Sequence, residues 1–310
     1  YHLWVTERYW ELPWLVDING NNDVVFKRSD IKHIEFVGDI HIINPAYWFA
    51  GYDNLLTADL MNMHIDLAGS LEGLFGILPT EYVNDAGVTV QVTDNPGKAC
   101  PKLTTVTGLE TWNTELTAGN AGGSVYGKPK VNTTTLKGLF QGAAALRNLE
   151  YVMGWDVSTI TDMSFLFDGC AALNDVSQLA TWNTSAVTTM EAMFRNVTTL
   201  RVVDGVLTWN TLNVNNFNEM FYNAKSVIDL DFSGANWKLS GAKNPDGTYN
   251  TRDMLAKLDG LRYLTLPVDF VLTGTGLENS DTHESLDGTW EQEGFTVNGT
   301  TTKLVAWWGD

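Results

Sequence analysis

Four phenylalanines, Phe140, Phe167, Phe194 and Phe221, follow one another at intervals of 27 residues, and Leu146, Leu173, Leu200 and Val227 keep the same interval six positions later. Trp155, Trp182 and Trp209 share the period, with Trp237 one residue late. A fixed period at three separate positions marks a repeat architecture. No single unit of that length can close a core, because its apolar residues point to one side, so the units must stack on their neighbours. The Phe, Leu and Trp positions then become ladders, one side chain per unit, spaced by roughly 4.8 Å where the backbones pair as strands.

Within one unit, Met163, Leu166, Phe167 and Cys170 stand at i, i+3, i+4 and i+7 after the candidate cap Thr161, which predicts a short helix. Leu173, Val176, Leu179 and Trp182 then recur every three residues, a pattern suited to a coil with a short strand inside it. The expected fold class is an α/β repeat solenoid whose coils each pair a short strand with a short helix, with irregular insertions and a β-rich carboxyl-terminal cap.

Degenerate units extend the array toward the amino terminus. Ala99-Cys-Pro-Lys-Leu103, followed nine residues later by Trp112-Asn-Thr, repeats the spacing of Gly169-Cys-Ala-Ala-Leu173 and Trp182-Asn-Thr. Cys100 and Cys170 thus hold equivalent places in different units, with the unit of Ala143 expected between them, and read as small buried residues instead of a disulfide. Phe49-Ala-Gly-Tyr-Asp-Asn-Leu55 and Phe75 suggest that the array begins near Phe49. The organisation expected is a Trp-rich amino-terminal cap over 1–48, the repeat array over 49–270 and a β-rich cap over 271–310. Insertions are placed near 76–98, which contains a short strand at 88–92, near the Gly-rich 115–131 and near 241–250.

Nineteen Lys and Arg stand against 37 Asp and Glu, a formal charge of −18 that opposes a phosphate backbone, so no nucleic-acid partner is expected. No apolar run is long enough to span a membrane, and Tyr1 in place of Met reads as a processed or excised chain. The five histidines form no HExxH, and neither a GxSxG elbow nor a phosphate-binding loop occurs, so no catalytic residue is assigned and no enzyme is expected. The closest approach to a metal site is a calcium-type loop with oxygens at Asp17, Asn19, Asn21 and Asp23. It lacks the usual glycine and the bidentate Glu, so calcium is the one cofactor carried forward, and a plain Asn-Gly turn is the competing reading.

The unit Trp182-Asn-Thr-Ser-Ala-Val-Thr-Thr-Met-Glu-Ala-Met-Phe, matched by Trp155-Asp-Val-Ser-Thr-Ile-Thr-Asp-Met, resembles the 26-residue surface-protein repeat of BspA-like leucine-rich-repeat proteins. The resemblance covers residues 136–240 strongly and 49–113 weakly; the 27-residue length and the insertions before Phe140 depart from the family pattern. It implies leucine-rich-repeat-like coils and an extracellular or cell-surface protein of bacteria, mycoplasmas, microbial eukaryotes or their viruses, often linked to adhesion. The function expected is recognition of a host, matrix or partner-cell protein or glycan through the repeat surface. A structural subunit of a surface appendage or virus or phage particle, assembling with copies of itself or other subunits at a virion surface, is the alternative. A carbohydrate-processing enzyme is the third. Positions between the ladder residues vary from unit to unit, and Tyr151, Gln178, Arg201 and Arg147 are the binding candidates, because Tyr and Arg give large contact area and directed hydrogen bonds.

Overall fold

The computed structural model describes residues 27–83, 89–92, 95–125, 127–234, 236–266, 274–277 and 302–305. Its strands are short: β1 (His33–Glu35), β2 (Ile40–His41), β3 (Thr57–Asp59), β4 (Met63–His64), β5 (Glu81–Val83), β6 (Thr89–Gln91), β7 (Thr105–Thr107), β8 (Ser124–Val125), β9 (Lys128–Pro129), β10 (Asp229–Asp231), β11 (Tyr263–Leu266) and β12 (Thr302–Val305). β1, β3 and β7 pair in parallel in that order, with His33 beside Thr57 and Thr57 beside Thr105. β2 lies parallel to β4 and β10 to β11, while β12 runs antiparallel along β11. Two antiparallel hairpins, β5 with β6 and β8 with β9, lie within 76–98 and 115–131.

This is not the α/β solenoid of strand-plus-helix, leucine-rich-repeat-like coils that the periodicity predicts. Among the described residues the α-helices are two four-residue turns, α1 (Ala118–Ala121) and α2 (Asp204–Leu207), and the sheets are small separate pieces of two or three short strands. The stretch 161–170 shows why. Met163, Leu166, Phe167 and Cys170 are all buried, so their spacing does report one inward face. The backbone beneath them is not helical: Phe165 has φ 59° and Gly169 φ 77°, left-handed values that an α-helix does not contain. Its hydrogen bonds also leave the unit. The N–H groups of Met163, Phe165, Phe167 and Gly169 donate to the carbonyls of Thr189, Glu191, Met193 and Arg195 in the following unit, while Leu166, Asp168 and Cys170 close tight turns on the residues three before them. A chain of turns and a helix can carry the same apolar spacing, and only the destination of the backbone hydrogen bonds separates them. The left-handed pair recurs at Gly138 and Gly142, Ala192 and Asn196, Glu219 and Asn223, and Asp253 and Lys257.

The capping expectation shifts by one residue. Asp162 accepts the Ser164 N–H at 2.8 Å, as Thr135 does for Lys137 and Asn216 for Asn218, whereas the Thr161 hydroxyl donates to Thr134 O in the preceding unit. In the second half of the unit, the anticipated strand is reduced to one parallel bridge between Asp175 and Val202, followed by a 3-10 turn over Ser177–Thr181.

Successive units lie in register through their aromatic rings. Phe49, Phe75, Phe140, Phe167, Phe194 and Phe221 form one column, with centroids 5.1 Å apart at the first step and 5.7–6.0 Å apart thereafter. Phe75 stacks on Phe140 at 5.9 Å, so the whole stretch between them is a single unit carrying two insertions. The cysteines fit that count: the Cys100 thiol donates to Phe49 O and the Cys170 thiol to Phe140 O, both free and buried, and burial raises the Cys100 thiol to about 12.

A second column holds Trp112, Trp155, Trp182 and Trp209, stacked at 6.0–6.3 Å. Each indole N–H reaches back one unit to a buried carbonyl, from Trp155 to Leu109, from Trp182 to Val152 and from Trp209 to Leu179, at 2.8–3.0 Å. Trp237 keeps this bond, to Val206 O, but its ring leans on Phe217 and Phe232. One apolar cluster runs from Ile40 to Leu277.

Candidate functional site

Where the units approach most closely, glycine is required. Gly205, in α2, lies so near the preceding unit that a Cβ would stand 2.4 Å from Val176 O, and a Cβ on Gly108 would stand 2.3 Å from Met61 N. The repeat register aligns Gly108, Tyr151, Gln178 and Gly205 as one column. At Tyr151 a ring occupies the place of the small residue, and the strand ladder opens there. β7 is the last strand of its sheet; residues 148–150 of the next unit do not extend it, and the nearest parallel bridge of that column is the one between Asp175 and Val202. The opening is a cleft of about 90 Å³ between 104–109 and 146–152. Val106, Leu109, Phe140, Leu146, Leu149 and Val152 form its apolar part, and Thr104, Thr105, Asn148 and Tyr151 bring polar atoms to it.

Of the four binding candidates, Tyr151 is half-buried and lines this cleft, while Arg147 and Arg201 are exposed. Gln178 is half-buried, and its Oε1 is shut off from solvent without a hydrogen-bond partner, so it is not an open surface contact. Gly205, which also lies between ladder residues, is buried. Arg147, Asn174, Arg201, Ile228 and Arg262 occupy equivalent positions in successive units and form an exposed row. Arg147 and Arg201 enter none of the ion pairs formed among the described residues. The calcium-type loop of Asp17, Asn19, Asn21 and Asp23 lies outside the described residues. Among those described, no three His, Cys, Asp or Glu side chains gather as a metal site, and no helix is long and apolar enough to cross a membrane.

One polar cluster escaped the sequence reading, which treated every histidine singly. His41 and His64 neighbour each other across β2 and β4, and their rings stack at 4.5 Å with 17° between planes. His41 Nδ1 donates to Asp66 Oδ1 and His64 Nδ1 to Glu115 Oε1, each at 2.7 Å. The other Glu115 oxygen accepts the Ile65 N–H at 2.7 Å, and Lys130 Nζ lies 3.2 Å from Asp66. Burial alone would push the His64 imidazole down, but the hydrogen bond and charge of Glu115, with Asp39 and Asp66, outweigh it and leave its pKa raised. Burial also opposes the Asp66 charge, yet His41 and Lys130 hold this carboxyl below its usual range. The signal was present in sequence: His64 follows Leu55 by nine residues, as Trp112 follows Leu103 and Trp182 follows Leu173. In the fold this interval puts His64 one residue past the buried Met63, whose carbonyl accepts the Trp112 indole N–H at 2.8 Å.

A second charged group ties units together. Arg195 holds Asp168 through Nε and a terminal nitrogen at 3.0 and 2.7 Å and Glu219 at 2.8 Å, and the arginine bond depresses the Glu219 carboxyl. A carboxyl held ionised in this way is unsuited to act as a proton donor near neutral pH.

In comparisons with known proteins, no curated protein and no solved structure matches the chain. Residues 134–257, which contain Phe140, Phe167, Phe194 and Phe221, match the family model described as "Mycoplasma protein of unknown function, DUF285".

Proposed function

We propose that this chain is a recognition module, displayed outside a cell or at its surface, which binds a protein or glycan through the cleft at Tyr151 and the arginine row beside it. The cleft is the observation that carries this reading. At about 90 Å³ it is smaller than an apolar cavity of about 150 Å³ that encloses benzene. Small-molecule and cofactor sites run to about 300 Å³ or more. The space therefore suits a short aliphatic or acetyl-sized group presented by a larger partner. Such a group would enter over the polar atoms of Thr104, Thr105, Asn148 and Tyr151, with the exposed row adding contact area. In a chain of formal charge −18, Arg147, Arg201 and Arg262 favour a partner that presents carboxylates at this face. The resemblance of the units to BspA-like surface repeats supports the extracellular setting.

The test is binding of the full chain to immobilised matrix proteins, glycans and whole cells. Tyr151→Ala and Arg201→Ala are expected to weaken binding by about tenfold or more each, since Tyr and Arg truncations at interface centres cost at least about 1.4 kcal/mol. Their melting temperatures should stay within a few degrees of the parent. Variants that bind as tightly as the parent would refute the assignment of this face. Ordered multimers in solution with no binding to any of these surfaces would favour the assembly-subunit reading instead.

A further inference from the structure

The contacts that join the units change chemistry toward the amino-terminal end. In the later units an indole N–H is fixed on a backbone carbonyl, a bond without a titrating partner. In the first two described units His41 instead stacks on His64 on the half-buried outer side of β2 and β4, and their Nδ1 atoms are fixed on carboxylates. One of those carboxylates, Glu115, begins the 3-10 turn Glu115–Thr117, and Lys130, which pairs with Asp66, lies at the far end of the same insertion. Both ends of the 115–131 segment are thus held to the β2–β4 pair by charged groups. The rest of its attachment is the burial of Leu116, backbone bonds from Val131 to Asp66 O and from Thr133 to Leu116 O, and smaller side-chain contacts.

We propose that His64 and Glu115 form a pH-sensitive latch that fastens the 115–131 insertion to the first repeat units and releases it as pH rises.

The groups facing His64 are His41 on β2, Asp39 before β2, Asp66 after β4 and Glu115, with Lys130 acting through Asp66. Three carboxylates surround the stacked rings, so a protonated His64 is favoured despite its partial burial. A histidine whose folded pKa is raised contributes stability that is complete below the unfolded value of about 6.5 and is lost as pH rises through the folded value. Asp66, depressed in the fold, contributes on the other side: its share is present above its unfolded value and disappears as pH falls through the folded one. The latch is therefore tightest between those limits, from mildly acidic to near-neutral pH. Loss of the His64 charge removes the ionic part of the Glu115 contact, and Glu115 then competes for water. The Ile65 N–H loses its fixed acceptor at the same step.

Amide hydrogen exchange on the full chain, corrected for intrinsic rates, reads this directly. From pH 5.5 to 8.5 the protection of Ile65 and of residues 116–121 should fall by about threefold or more, a local opening of the kind that leaves the rest of the fold intact. Amides of the tryptophan column, such as Trp182, should keep their protection. In His64→Gln the same amides should show at pH 5.5 the weak protection that the parent shows at 8.5, with no further change across the range. Glu115→Gln should flatten the profile in the same way and serves if His64→Gln does not fold. A flat profile in the parent, or an unchanged slope in either variant, would overturn the latch.

Discussion

Replacing Trp182 by alanine is expected to remove at least about 4 kcal/mol of stability, the largest loss of any single side-chain truncation in the array. Cutting a buried tryptophan to alanine costs about 3–5 kcal/mol through lost apolar burial and the cavity left behind. Trp182 is buried between Trp155 and Trp209 at 6.3 and 6.0 Å, so the variant also loses two stacking partners, each worth about 0.5–1.5 kcal/mol. Its N–H to Val152 O disappears too, at a net cost of about 0.5–1.5 kcal/mol, since that carbonyl keeps the Trp155 N–H. These contributions overlap and do not add in full. Urea denaturation followed by tryptophan fluorescence and circular dichroism gives the answer. Trp182→Phe should retain most of the ring burial and lose mainly the hydrogen bond, about 0.5–1.5 kcal/mol. A loss below about 1 kcal/mol for the alanine variant would show that the column does not hold the units together.

The inward face of each unit was readable from sequence, and the backbone beneath it was not. Phe167, Leu173 and Trp182 are buried at equivalent places because apolar spacing reports which side chains leave water, and burial is what the period encodes. Helix and strand were inferred from that same spacing, and here it misled. Phe165 and Ala192 sit at φ 59° and 51°, where non-glycine residues are uncommon, because the unit-to-unit hydrogen bonds of their own N–H groups repay the strain. Nothing in Phe or Ala announces a left-handed residue, although Gly73 and Gly138 at the same place in other units hint at it. Tyr151 was singled out by residue type alone. That it lines a cleft follows from the contrast with Gly108 and Gly205 in its column, and this contrast needs three-dimensional register to be seen. The histidine pair was missed for a related reason: β2 and β4 align His41 with His64 at an interval of 23 residues, which neither the 27-residue period nor a metal-binding motif such as HExxH marks.

Gly108→Ala is expected to destabilise the chain by about 3 kcal/mol or more, and comparison with Gly247→Ala separates the two causes. Both glycines are left-handed, Gly108 at φ 86° and Gly247 at φ 90°. An alanine in that region costs about 1–2 kcal/mol from the contact of its own Cβ with the backbone. Around Gly247 nothing lies within 4 Å of a Cβ, so its variant should lose only that amount. At Gly108 the Cβ would stand 2.3 Å from Met61 N and 2.4 Å from Leu60 C, backbone atoms that move only if the neighbouring unit moves. Overpacking of this kind adds about 1–3 kcal/mol. The displaced segment is the 3-10 turn Leu109–Asn113, whose first residue lines the cleft and accepts the Trp155 indole N–H. Gly108→Ala should therefore disturb the Tyr151 site as well as stability, whereas Gly247→Ala should leave it unchanged. Equal losses in the two variants by urea denaturation would show that the left-handed conformation accounts for the whole effect. The close approach of the units at Gly108 would then not be what shapes the cleft.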